Sequence, residues 1–131
     1  MHKYLEDFLN RCNYYRVNPL AQTDQDGFVV TTYYLNHLND AIEFYVIPQK
    51  NKQYLVTDDG WLLNEIEMMG SSYLQYKEQL NKLQQRHFGI GYQTDSREFT
   101  TQLQQPFNQK TQQTLAHYIQ FLIEAYALLM K

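Results

Sequence analysis

Cysteine is nearly absent from this 131-residue chain: Cys12 stands alone, and a single thiol cannot close an internal disulfide. Nothing in cysteine usage therefore points to an oxidising compartment. Basic charge is also scarce. Eleven Lys and Arg face 14 Asp and Glu, for a formal net charge of −3. Phosphate neutralisation calls for a basic excess, so a dedicated nucleic-acid binder is not expected. No run approaches the ~18 apolar residues of a membrane span. The first twelve residues carry Glu6, Asp7 and Asn10 where a secretion signal needs an apolar stretch, which makes a cytoplasmic location the expectation. The catalytic signatures GxSxG, HExxH, the Walker loop and GxGxxG are missing as well. The Gly89-Ile90-Gly91 triplet does not lead from a strand into a helix, so it is no phosphate cradle.

What is abundant is aromatic surface, with 12 Tyr and 7 Phe. That is enough apolar area to offset chain entropy in one domain of about this length. Tyr4, Leu5, Phe8, Leu9, Cys12 and Tyr15 recur at helical spacing and predict a first helix, ended by Asn18-Pro19. Cys12 on that stripe reads as a packed thiol, since no partner base accompanies it. Residues 22–27 read as a polar loop. From Phe28 the vocabulary becomes β-branched and aromatic. FVVTTYYL, AIEFYVI and QYLVT predict three strands in an antiparallel meander, the last two joined around Lys50-Asn51. That turn sets Phe44 opposite Thr57 and Glu43 opposite Asp58. It also places Ile42, Phe44, Val46 and Leu55 on one sheet face and Tyr45, Ile47, Tyr54 and Val56 on the other.

Downstream, WLLNEIEMM predicts a short helix capped by Gly70, and Ser72 with Gln75 offers a capping box for the next. Ile90, Tyr92, Phe99 and Leu103 flank the turn Thr94-Asp95-Ser96, a second and weaker hairpin. After Pro106 comes the longest helix, with Leu115, Tyr118, Ile119, Leu122, Tyr126 and Leu129 on one face. The expected class is α+β, residues 1–131 forming one domain: a three-stranded meander and a hairpin packed by four helices.

One polar grouping attracts functional interest. Pairing of the second and third strands brings Asp40 and Glu43 to the same end as Asp58 and Asp59, with Asn36 and His37 in the adjoining loop. Tyr45 and Tyr54 stand nearby. Three readings are open for these residues. The aspartates cap a helix and a turn; or the rim receives basic side chains of a protein partner; or it holds a Mg²⁺-type ion as nucleases do. His2, His37, His87 and His117 show no i, i+4 pair, so spacing forces no zinc site. Tyr33, Tyr34, Tyr45 and Tyr54 could stack bases, yet only Lys50 and Lys52 lie near them, and packing explains them better. No cofactor is expected.

The stretch Phe28 to Gly70 resembles a bacterial and phage domain-of-unknown-function family, numbered eighteen twenty-eight. Its members read Thr-Pro-Phe-Leu-Asp, a short gap, an Asp opening a strand, then "yltDdG" before a helix. Thr32 and Leu35 match the first motif, Asp40 the strand opening and Asp58-Asp59-Gly60 the last; Tyr33, Tyr34 and Asn36 depart from it. The resemblance implies a phage or mobile-element context. It suggests a non-enzymatic protein that binds a host protein, with an anti-CRISPR or other inhibitor of a nucleic-acid-processing nuclease as the leading case. A divalent-metal phosphodiesterase is the alternative. An antitoxin-like or structural regulatory partner, homodimeric through the last helix, is the third.

Overall fold

A computed structural model describes residues 3–12, 14, 16–20 and 27–130. Its elements are, in chain order, α1 (Lys3–Arg11), β1 (Arg16–Pro19), β2 (Phe28–Leu35), β3 (Ala41–Pro48), β4 (Gln53–Thr57), α2 (Trp61–Met68), α3 (Tyr73–Arg86), β5 (Gly91–Gln93), β6 (Glu98–Gln104) and α4 (Gln109–Ala127). A 3-10 turn, Leu128–Met130, follows α4. All strands belong to one six-stranded sheet ordered β1-β2-β3-β4-β6-β5, and every pairing is antiparallel. The meander and the second hairpin both form. The hairpin adds to the meander by pairing β6 with β4.

The first helix is shorter than its periodicity suggests. It ends at Arg11, and Arg16–Pro19 pairs with β2 instead. Pro19 can occupy that strand because β1 is an edge, where a missing N–H costs no ladder bond. Tyr15, and residues 22–26 of the expected loop, lie outside the described residues.

The β3–β4 register differs from expectation by one residue. Tyr45, not Phe44, stands opposite Thr57, and Val46 stands opposite Val56. Side chains alternate with a period of two, so a single-residue slip reverses a whole strand. Tyr54 and Val56 therefore join Phe28, Val30, Ile42, Phe44, Val46, Phe99 and Leu103 on the inner face, while Leu55 turns to the other. The turn carries two consecutive left-handed residues, Asn51 and Lys52, which shift its centre.

One core results. Leu5, Phe8 and Leu9 of α1, Leu62, Leu63 and Ile66 of α2, Leu80 and Leu83 of α3, and Leu115, Tyr118, Phe121 and Leu122 of α4 all pack on that inner face. Tyr118 is fully buried, and its hydroxyl donates to the Phe99 carbonyl at 2.6 Å. Burial holds that phenol well above its ordinary range. On the opposite face Val29, Tyr45, Ile47 and Leu55 remain half-buried.

Helix ends follow the local chemistry. The Ser72–Gln75 box closes reciprocally, with Gln75 accepting from the Ser72 N–H at 2.7 Å. Gly70 takes a φ of 83° after α2, the left-handed conformation that costs glycine least. Asn108 and Thr111 form a corresponding box before α4.

Candidate functional site: an acid and aromatic notch beside strand β3

Strand β4 ends at Thr57, opposite Tyr45, so the first half of β3 has no β4 neighbour. The chain leaves the sheet there through Asp58-Asp59-Gly60 and enters α2. Each residue of that triplet has its own task. Asp58 is 1% exposed, and its carboxylate accepts backbone N–H groups of Gly60, Leu62 and Phe99, each at 3.1 Å. Asp59 and Gly60 both adopt positive φ, 57° and 78°. Aspartate tolerates that region better than most side chains, and glycine is at home in it. The result is a sharp exit that leaves a gap between β3 and α2.

That gap is a notch of about 190 Å³ lined by Asn36, Asp40, Ala41, Ile42, Glu43, Tyr45, Trp61, Glu65 and Tyr126. Four residues expected at the rim are thus gathered in one place: Asn36, Asp40, Glu43 and Tyr45. Asn36 shapes the loop, its side-chain oxygen accepting from Leu38 N–H at 2.8 Å and Asp40 N–H at 3.1 Å. Glu43 is exposed and accepts from the Thr31 hydroxyl at 2.8 Å. Tyr45 has its phenol raised first by burial, with the Trp61 indole hydrogen bond opposing and Glu43 and Asp59 adding to the rise.

The remaining expected residues sit elsewhere. Asp58 faces the protein interior, not a solvent rim, because its oxygens serve the start of α2 and the neighbouring strand β6. Asp59 is exposed but lines an adjoining depression with Trp61, Glu67 and Arg97. Burial raises its carboxyl, and Glu98 adds to that rise. Tyr54 is 5% exposed on the core face, where its hydroxyl receives Gln105 Nε2 at 3.1 Å. The one-residue register shift is what carried it inward. His37 stands behind the notch. Its side chain is 5% exposed, its ring stacks on Tyr126 at 6.0 Å between centroids, and its Nε2 lies 3.3 Å from Glu65 Oε2. That approach lacks hydrogen-bond geometry, and both ring nitrogens are buried without a hydrogen-bond partner among the described residues.

Three notch residues were not anticipated: Trp61, Glu65 and Tyr126. Trp61 and Glu65 are four apart on α2, so they share a helix face, a signal present in the sequence. Tyr126 comes from the far end of the chain and carries no local signal.

A second titratable group was equally hidden. His87 at the end of α3 contacts Glu124 of α4 through Nε2, while its Nδ1 lies 3.4 Å from Nδ1 of His117. Arg86 meets the other Glu124 oxygen at 2.5 Å. Burial pushes the Glu124 carboxyl up, but His87 and Arg86 outweigh it and hold it low. The His87 nitrogens face two different residues, so the three side chains do not converge on one point. Among the described residues no group of three or more His, Cys, Asp or Glu side chains is placed to hold a metal ion. Among them, too, no helix is long and apolar enough to cross a membrane.

The fold and notch define an α+β protein with one helix-covered sheet and an acid-lined gap at a strand end. A family model described as "Domain of unknown function DUF1828" matches residues 31–124, and the chain belongs to that family. The match begins beside the Thr31–Glu43 hydrogen bond and ends at Glu124, so it takes in nearly the whole notch. No curated protein and no solved structure matches the chain.

Proposed function

We propose that this chain is a non-enzymatic binding protein of phage or mobile-element origin that occupies a host protein through the notch and its acidic surroundings. The target class is a nuclease of a CRISPR or restriction system, whose nucleic-acid groove is lined with Arg and Lys. The observation that carries the reading is the exposure of Asp40, Glu43 and Asp59 around Trp61. Carboxylates presented beside an aromatic anchor compete for guanidinium and ammonium groups that otherwise meet phosphate. Exposed Leu35 and Leu38 next to Asn36 give the surface an apolar rim of the kind that keeps water from such contacts. Asp58 and Tyr54 support this surface from within.

The test is in-vitro cleavage by a panel of CRISPR and restriction nucleases with the purified chain at equimolar ratio. We expect one nuclease to be stopped. A charge-reversed chain carrying Asp40→Lys, Glu43→Lys and Asp59→Lys should leave it active while unfolding at nearly the same temperature. Uninhibited cleavage across the panel rejects the target class, and inhibition by the reversed chain rejects the surface.

A further inference from the structure

The notch itself has a narrower meaning, which rests on the reading above. Its lining contains three carboxylates, Asp40, Glu43 and Glu65, and three aromatic rings, Tyr45, Trp61 and Tyr126, and among the described residues no Lys or Arg lines it. Arg97, which shares the neighbouring depression with Trp61, is held by Glu67 at 2.5 Å. Arg16 stands two strands away in the cross-strand row of Thr31 and Glu43. The space, about 190 Å³, falls below the roughly 300 Å³ at which pockets for whole small molecules begin, and suits a single side chain.

A second observation lies at the back wall. Glu65 is only 13% exposed, and the His37 Nε2 that lies 3.3 Å from it is buried and makes no hydrogen bond among the described residues. A shielded carboxylate next to a shielded ring whose nitrogens make no hydrogen bond among the described residues is an uncommon arrangement, because buried polar groups are ordinarily satisfied. A guanidinium entering the notch would bring Glu65 a cation that stays charged at neutral pH and donates to its carboxylate directly. Aromatic faces and carboxylates together select a planar, weakly hydrated cation over a compact ammonium, since guanidinium stacks and also donates in pairs.

We infer that the notch is a receptor for one arginine side chain delivered by a protein partner, its guanidinium lying against Trp61 and Tyr45 and donating to Glu43, Asp40 and Glu65. The exposed Leu35 and Leu38 beside the opening favour a protein as the carrier over a free small cation.

Trp61 is the only tryptophan, so its fluorescence reports the notch directly. The probe is the capped tripeptide Gly-Arg-Gly, titrated at fixed ionic strength. Its citrulline and lysine counterparts serve as the uncharged and ammonium controls. The arginine peptide should change the Trp61 signal saturably, with millimolar affinity as expected for one side chain on the order of −4 kcal/mol. The citrulline peptide should give no saturable change, and the lysine peptide should bind roughly tenfold more weakly. Glu43→Gln and Asp40→Asn, both at exposed positions, should each weaken the arginine peptide several-fold without changing the circular dichroism. Absence of saturation, or equal binding of the citrulline or lysine peptide, overturns the assignment. The readout needs no target nuclease, so a chain that inhibits nothing but binds the peptide refutes only the target class. One that inhibits a nuclease yet ignores the peptide refutes only the arginine receptor.

Discussion

The carboxylate of Asp58 accepts the backbone N–H of Phe99 at 3.1 Å, a bond between residues 41 apart. The same side chain receives Leu62 N–H at the start of α2. One buried group thereby joins the end of β4, the first turn of α2 and strand β6, and it holds one side of the notch in place.

Adjacent aspartates should accordingly behave in opposite ways. Asp58→Ala strands three backbone donors in a dry setting, and at about 1–3 kcal/mol for each unsatisfied group it should cost several kcal/mol of stability. Asp59→Ala, at an exposed position, should cost about 1 kcal/mol or less, the remainder being its left-handed backbone. Urea unfolding of the two variants checks this; equal losses would show that Asp58 is not the structural member of the pair.

Burial pushes the Asp58 carboxyl up to about 6, against the lowering effect of its three backbone donors, with Glu98 adding to the rise. An unfolded aspartate titrates near about 3.9. Between roughly pH 4 and 6 the folded chain therefore keeps a proton that the unfolded chain has released. The stability contributed by this group is greatest below about pH 4 and is lost as pH rises through about 6, by about 3 kcal/mol in all. Asp58→Asn carries no such proton. The unfolding free energy of the wild type minus that of the variant should decline across this window, and a constant difference from pH 4 to 7 would contradict the assignment.

The β3–β4 register makes a comparison of neighbours informative. Val56→Ala empties a fully buried site, and at the usual cost of deleting core methyl groups should lose about 2 kcal/mol. Leu55→Ala, on the half-buried outer face, should lose about 1 kcal/mol or less despite removing more carbon. Thermal unfolding of both variants decides the matter, and the reverse order would restore the alternative register.

At the α2–α3 junction, Ser72→Ala opens the capping box and should cost about 1 kcal/mol. Gly70→Ala should cost a similar amount through its positive φ alone, since among the described residues no heavy atom beyond its chain neighbours would lie within 4 Å of a methyl group at that position. A second, longer side chain at 70 should add little further loss. If Gly70→Leu proves much worse than Gly70→Ala by chemical denaturation, crowding rather than backbone conformation governs the site.

Much of this molecule was legible from local pattern. The α+β class, the meander, the Thr94–Ser96 hairpin, the Ser72–Gln75 box and the long α4 all follow from side-chain periodicity and capping chemistry, which act over a few residues. Asn36, Asp40, Glu43 and Tyr45 lie together because they are neighbours in the loop before β3 and in β3 itself, whereas Asp58 and Asp59, expected beside them through the β3–β4 hairpin, face the interior and an adjoining depression. β1 was missed, since Arg16–Pro19 has little strand character of its own and is held by pairing with β2.

The sequence by itself determined which segments are helix or strand and which residue types are available at the strand ends. Only the tertiary structure decided which way each strand faces and who meets at the notch. A pairing shifted by one residue turned Tyr54 inward, and the exit through Asp58 committed that carboxylate to backbone donors on two other elements. Tyr126, His37 and Glu65 came together through packing of α4 and α2 on the same sheet. Those contacts span most of the chain, and their energies depend on burial and alignment that no local pattern encodes.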